Sequence, residues 1–334
     1  MSRIHVLKPG MMTTVQDLGR LGWQRHGVTP GGAADPWSLR LANLLAGNPE
    51  GAAGLEITSS GPTLRFAEPT LVAITGGDFE VSIGGQRVPA WRPVWLAAGA
   101  ELAVGPVRSS FRGYLAVGGG LAVPRVLSGR GTHLAGGFGG FDGRALRAGD
   151  VLKIGPASAW AKRLSLALAS GQPFVAARWE VGPSARPKFT TAPVVRAMRG
   201  PQWDWFSAEA QTRFLGERFT VDLRSDRMGL RLNAEGQGLL GALLPDMVSE
   251  GVVAGTVQVP PDGQPIVLLA DRQTVGGYPK IAVVASVDLP SLAQLRAGDT
   301  VSFTEVTVAE AQELWLAGER LLATVKQGIA LHVM

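Results

Sequence analysis

Ile266-Val-Leu-Leu-Ala270, Asp271-Arg-Gln-Thr-Val-Gly-Gly-Tyr-Pro-Lys280 and Ile281-Ala-Val-Val-Ala-Ser-Val287 follow one another without interruption. An apolar run, a polar stretch holding two glycines and a proline, and a second apolar run read as strand, turn and strand. The same grammar extends in both directions. Thr70–Thr75, Phe79–Ile83, Pro93–Leu96, Phe111–Val117, Phe219–Leu223, Val253–Val259 and Thr300–Phe303 are short, rich in Val, Ile, Leu and aromatics, and end in turn residues. The 45 glycines and 22 prolines that separate such runs show no period. This spacing predicts barrels or sandwiches rather than a doubly wound parallel sheet.

Few helices interrupt the pattern. Asp35 is a good N-cap and Pro36 a good first helical residue, predicting a helix over Pro36–Ala46 that ends at Gly47. A last helix is expected from about Val308 to Val325, with Ala311, Leu314, Trp315, Leu322 and Val325 at helical spacing. Gly318 falls on the same face and weakens it. Leu164–Pro173 loses strand character, which places a domain boundary there and divides the chain into residues 1–168 and 169–334.

Composition excludes several classes. With 334 residues, 46% of them hydrophobic, the chain can bury a sizeable core. No apolar run approaches the ~20 residues of a membrane-spanning helix, and Met1–Gly10 has no signal-peptide pattern. The expectation is a cytoplasmic protein with no membrane partner. There is no cysteine, hence no disulfide, thiolate zinc site or cysteine nucleophile. His5, His26, His133 and His332 have no metal-ligand spacing, so no metal is expected in the chain. Net charge is +5, but the basic residues are scattered, which argues against nucleic acid. Only six of the basic residues are lysines.

Generic motifs fail. Gly136-Gly-Phe-Gly-Gly-Phe-Asp-Gly143 fits neither GxxxxGK[ST] nor GxGxxG and reads as a flexible loop between strands. No GxSxG elbow is present.

The polar stretch of the opening segment has its own chemical logic. Gly276 and Gly277 allow close backbone approach to a ligand, and Pro279 stiffens the link between Tyr278 and Lys280. Tyr278 and Lys280 can donate to a developing oxyanion, and a desolvated lysine can act as a base. The same residues also read as a hairpin turn with a surface lysine. Asp271, Arg272, Gln273 and Thr274 form a polar cluster at a strand end, where sites often sit; Asp271 and Thr274 equally suit turn capping. Gln258, inside a strand-like stretch, can read a lactam or ureido group by donating and accepting together, or pair with backbone. Glu250 is the nearest upstream carboxylate, or an exposed loop acid. Arg227 and Arg231 can clamp a carboxylate or phosphate, or form surface ion pairs.

Three longer segments carry a resemblance. The first is Lys8-Pro-Gly-Met-Met-Thr-Thr-Val-Gln-Asp-Leu-Gly-Arg20 with Gly31-Gly-Ala-Ala-Asp35 and Ala42-Asn-Leu-Leu-Ala-Gly-Asn48. The second is Ser225-Asp-Arg-Met-Gly-Leu-Arg-Leu232, and the third runs from Gly255-Thr-Val-Gln-Val-Pro-Pro-Asp-Gly-Gln-Pro-Ile266 through Asp271–Lys280. In order and over nearly the whole chain, they resemble the biotin-dependent-carboxyltransferase-like family. That family contains the 5-oxoprolinase C subunit (allophanate hydrolase subunit 2-like), the KipA-type antagonist of a kinase inhibitor, and one half of the urea carboxylase carboxyltransferase domain. One departure stands out: where the family usually has Gly-Ser-Arg-Ser-Thr, this chain has Ser128-Gly-Arg-Gly-Thr132.

The resemblance implies a mainly β chain with a few helices, built as two cyclophilin-like β-barrel domains. It implies the C subunit of an ATP-dependent 5-oxoprolinase, a hydrolase opening 5-oxo-L-proline to L-glutamate, with ATP and Mg2+ in the assembled complex. The implied partners are a KipI-type B subunit and a LamB/YcsF-type A subunit. The alternatives are a biotin-dependent carboxyltransferase half, with biotin, or a non-enzymatic KipA-type antagonist. The implied catalytic residues are Lys280, Tyr278 and Glu250; the implied substrate-binding residues are Arg227, Gln258, Asp271, Gln273, Thr274, Gly276 and Gly277.

Overall fold

Ile266–Leu268 and Lys280–Val284, on either side of the polar stretch, are strands of a closed barrel in the computed structural model, which describes residues 2–234, 238–239 and 247–332. Around the barrel the order is Val194–Arg199, Lys280–Val284, Thr256–Gln258, Ile266–Leu268, Gly229–Asn233, Phe219–Val221 and Thr300–Glu305. Val194–Arg199 closes the ring, pairing antiparallel with Lys280–Val284 and parallel with Thr300–Glu305. Its core holds Val195, Val257, Val267, Ile281 and Leu230, joined by an aromatic group from the helix Ala208–Gly216 and two strands. Phe214 stacks on Phe303 at 4.5 Å between ring centroids.

The other unit is a ten-stranded sheet whose spine is the pair Thr70–Ile83 and Glu101–Val117. The pair runs antiparallel from Ile83 opposite Leu102 to Val72 opposite Val117, with irregularities between Gly76 and Val81. The helix Pro36–Leu45 begins as expected: Ser38 N donates to Asp35 Oδ1 at 2.9 Å, and the Ser38 hydroxyl donates to Oδ2 at 2.6 Å. Next to this cap, the Asp35 N–H donates to the buried Tyr114 hydroxyl at 2.8 Å, which in turn donates to Glu56 at 2.9 Å.

The two units divide the chain differently from the 168/169 boundary. One comprises Met1–Leu21, Gly31–Pro187 and the chain from Leu321 onward; the other comprises Gly22–Pro30 and Lys188–Arg320. The stretch after Leu164 stays with the first unit because Phe174–Ala176 pairs antiparallel with Val94–Leu96, while Ala161 and Leu164 pack on Leu71. A three-residue strand in polar surroundings leaves too little pattern to read. The last helix is longer than expected, Val308–Leu331, and passes through Gly318; Leu322 and Ile329 pack with Leu39, Leu41 and Tyr114. Among the described residues, no helix is long and apolar enough to cross a membrane.

The glycine cluster 136–143 is tied down rather than loose. Gly140 N donates to Arg130 O at 3.0 Å, Gly143 N to Gly139 O at 2.8 Å, and the Arg20 guanidinium lies 4.9 Å from the Phe138 ring centroid while donating to Gly131 O. The altered segment Ser128–Thr132 joins it. Asp17 accepts from Gly19 N, Arg130 N and Gly131 N at 2.8, 2.6 and 3.1 Å. A Cβ at Gly131 would stand 2.7 Å from Gln16 Oε1, so glycine lets this backbone close on the Gln16–Asp17 pair.

Burial, then the nearby Glu56 charge, push the Tyr114 hydroxyl well above its ordinary 10.0. The folded chain therefore keeps a proton that the unfolded chain releases near pH 10, and this contribution to stability is lost as pH rises beyond that value. Tyr114→Phe should lower stability at neutral pH by about 1–3 kcal/mol, because it strips a buried N–H of its acceptor. It should also flatten the alkaline loss, as read by denaturant unfolding at pH 7 and pH 10.5.

Candidate functional site

Lys280 opens its barrel strand as the register partner of Gln258, the last residue of Thr256–Gln258, next to a bulge between Val257 and Gln258. Facing residues on paired strands share a side of the sheet. Val257 and Ile281 belong to the barrel core, so Gln258 and Lys280 stand on the opposite face. That face is covered. Glu250–Gly251 and Val275–Gly276 pair antiparallel into a small ribbon, and a Cβ at Gly276 would collide with Gln258 Nε2. The glycine lets the ribbon sit this close without displacing the buried Gln258 amide.

Lys280 is therefore no surface turn residue. It is 3% exposed, and its Nζ donates to Glu250 Oε2 at 3.0 Å, with Met247 Sδ at 3.9 Å. The Glu250 side chain is 52% exposed, so a buried ammonium meets a carboxylate at the protein surface. Gln202 brackets the lysine's main chain. Its Oε1 accepts from Lys280 N at 3.2 Å, its own N–H donates to Lys280 O at 3.3 Å, and its Nε2 reaches Glu250 Oε2 at 3.5 Å.

Beside this group lies a second one. Arg227 donates through Nε and Nη2 to the two oxygens of Asp271 at 2.8 and 3.1 Å, both residues being buried. The carboxylate in the Arg227 fork is thus one of the chain's own, and it pins the turn that follows Ile266–Leu268. Asp271 N also donates to Arg227 O at 2.9 Å. Two residues on, Gln273 Nε2 donates to Gln258 Oε1 at 3.3 Å. The Gln258 acceptor is engaged, while its buried Nε2 has no acceptor among the described residues. The amide offers a donor alone, not the donor–acceptor pair expected from the sequence. Arg272, between Asp271 and Gln273, is 8% exposed; its Nη1 lies 3.4 Å from Leu269 O, and its Nε has no partner among the described residues. Burial alone pushes its guanidinium down from the usual range.

Of the residues named from sequence, Glu250, Gln258, Gly276 and Lys280 converge, Gln273 joins them through Gln258, and Arg227 and Asp271 hold each other. Thr274 contributes its carbonyl to Val252 N at 3.1 Å. A Cβ at Gly277 would meet only the mobile Ser249 hydroxyl at 3.3 Å and Met247 O at 3.4 Å, a tight contact that a small shift of the hydroxyl relieves, and Tyr278 is exposed. Arg231 is an exposed residue of Gly229–Asn233. Gln202 was not legible as a site residue, because it acts on the Lys280 backbone from far along the chain. Among the described residues, no three or more His, Asp or Glu side chains gather as a metal site would need.

A model of the family described as the carboxyltransferase domain, subdomain A and B, matches residues 26–305. The chain belongs to that carboxyltransferase-domain family. Within the family it is 35% identical to the 5-oxoprolinase C subunit of Haemophilus influenzae over 97% of this chain and 98% of that protein. It is 37% identical to the 5-oxoprolinase C subunit of Escherichia coli, over 92% of this chain and 93% of that one. The crystal structure of Kluyveromyces lactis urea carboxylase superposes with a TM-score of 0.86 at 29% identity, covering 98% of this chain and 29% of that one. The mainly β expectation agrees with this carboxyltransferase-domain fold.

The ribbon closure can be tested by a pair of alanines. Neither Gly276 nor Gly277 has a positive φ, and an unstrained Gly→Ala change stabilises by roughly 0.4–1 kcal/mol. Gly276→Ala should instead lose about 1–3 kcal/mol through overpacking against Gln258, whereas Gly277→Ala should stay near wild type. Thermal unfolding of the two variants side by side measures the difference.

Proposed function

We propose that this chain is the C subunit of a 5-oxoprolinase, opening 5-oxo-L-proline to L-glutamate with hydrolysis of ATP when assembled with its partner chains. The observation that carries the reading is the pair of buried donors on one barrel face. Lys280 brings a positive charge, and Gln258 Nε2 brings an N–H with no acceptor among the described residues. Two such groups suit an amide oxygen that gains negative charge. Near end-to-end likeness to two proteins named as C subunits of 5-oxoprolinase supports the same assignment.

In this proposal the lactam oxygen attacks the γ-phosphorus of MgATP and ADP leaves. Water then adds to the activated ring carbon, the ring C–N bond opens to leave the γ-glutamyl phosphate, and a second water hydrolyses that acyl phosphate to glutamate and inorganic phosphate. Lys280 neutralises charge on the oxygen, Gln258 orients it, and Glu250 accepts a proton from the attacking water once the ammonium has shifted toward substrate. Tyr278, exposed near the same edge, closes over the ring as a donor. The nucleotide is a co-substrate of the complex, whose other members are a KipI-type and a LamB/YcsF-type chain. A second reading, carboxyl transfer from carboxybiotin to urea or another amide, draws on the likeness to urea carboxylase. The oxyanion chemistry is shared, and the acceptor separates the two readings.

Because Lys280 is buried and ion-paired, its test needs a variant that keeps the stem. In the reconstituted three-component complex, Lys280→Met should lower kcat by about 10²–10³, the usual effect of losing one oxyanion donor. Lys280→Arg should rescue poorly, since a planar fork replaces a compact ammonium. A correctly assembled Lys280→Met complex with full ATP-dependent turnover of 5-oxo-L-proline would remove the lysine from the chemistry. Turnover by the purified chain alone would contradict the need for partners.

A further inference from the structure

Arg272 is the anomaly of the site. Its neighbour Asp271 is engaged through both carboxylate oxygens by Arg227. Among the described residues, no carboxylate lies within ion-pair distance of Arg272, and its Nε has no partner at all. Its only side-chain hydrogen bond to them is the long one to Leu269 O. A buried guanidinium without a counter-charge is costly to the fold, and proteins rarely keep one unless something pairs with it. Meanwhile the turn that carries it is held rigidly. Asp271 is forked by Arg227 on one side, and Gln273 is tethered to Gln258 on the other. Gln258 Nε2 is the second buried donor in this region with no acceptor among the described residues. Two orphan donors joined through one tethered turn, one charged and one neutral, match a ligand with an anionic group and an amide oxygen.

We infer that Arg272 is the specificity-determining residue of the site and binds the carboxylate of the substrate, while Gln258 takes the amide oxygen. This rests on the 5-oxoproline reading and sharpens it. The preferred substrates are cyclic amides bearing a carboxylate, and a bare lactam is refused. A guanidinium with no counter-charge among the described residues costs the fold stability, and a bound carboxylate relieves that cost.

The test uses the reconstituted complex with wild-type chain, Arg272→Met and Arg272→Lys. It reads melting temperature with 5-oxo-L-proline, with 2-pyrrolidinone (the same lactam without the carboxylate) and with MgATP alone, together with steady-state kinetics. Wild type should be stabilised by 5-oxo-L-proline and not by 2-pyrrolidinone. Without ligand, Arg272→Met should melt at or above wild type, because a buried charge with no counter-charge among the described residues is gone. It should lose the stabilisation by 5-oxo-L-proline and raise KM by about 10- to 100-fold, the scale of a hydrogen bond to a charged group, with kcat affected less. Arg272→Lys keeps charge without the fork and should fall between. Should Arg272→Met not fold, Arg272 is structural and the inference fails; Arg272→Lys with unchanged KM defeats it equally. An unchanged KM in a folded Arg272→Met complex overturns the inference and leaves the functional reading intact. Loss of the MgATP response alone would assign the guanidinium to phosphate, against the proposal. A wild-type complex that ignores 5-oxo-L-proline overturns the functional reading, and the inference with it.

Discussion

An ammonium buried at the start of a barrel strand needs a counter-charge, and much of the second unit follows from supplying one. Lys280 occupies a place where the strand pattern would put an apolar or neutral residue. Its charge is met by Glu250, which comes from a separate ribbon thirty residues upstream. The ribbon lies over the strand without disturbing the Gln258 amide because Gly276 has no side chain to strike it. Gln202 then fixes the lysine's backbone from another direction, while its amide also approaches Glu250. Three segments distant in sequence are thus drawn to one residue. A pair with one partner buried and the other at the surface is weak evidence for stability, since desolvating the ammonium offsets much of its Coulomb attraction. Its value lies in holding one geometry.

The neighbouring Arg227–Asp271 fork does different work. It is buried and bidentate, with both partners in the chain, so its function is to position the turn 271–274. Beside it sit donors that find no acceptor among the described residues. The contrast between satisfied and unsatisfied polar groups within a few residues separates scaffold from site more clearly than residue type does. Arg227 and Arg272 are both buried arginines, and only their partners tell them apart.

How much of this could be read from the amino-acid sequence depended on range. The strands flanking 271–280, the Asp35 cap and the helix after it follow local rules and appear close to where the pattern put them, although the strands end at Leu268 and Val284, short of the expected Ala270 and Val287. Lys280 and Glu250 stand out individually, yet nothing in their spacing says that they touch. Lys280 looks like a turn residue because Gly-Gly-Tyr-Pro dominates the local pattern, whereas barrel pairing with Gln258 claims it for the strand. Arg227 looks like a ligand clamp because its true partner lies 44 residues away. The unit boundary escapes a sequence reading because Phe174–Ala176 is three residues long and joins its sheet only through a distant partner.

The exchange of segments between the two units bears on how the chain comes into being. When synthesis has reached Pro187, Leu322 and Ile329, which complete the cluster around Leu39 and Leu41, do not yet exist. Gly22–Pro30, made almost at the outset, belongs with residues that emerge much later; Thr29 finally donates to Ala270 O at 3.4 Å. Closing loops of such length is slow and leaves apolar surface waiting. The second unit has all its residues only at Arg320 and the first only once the last helix is made, so both close late in synthesis although the first unit begins the chain.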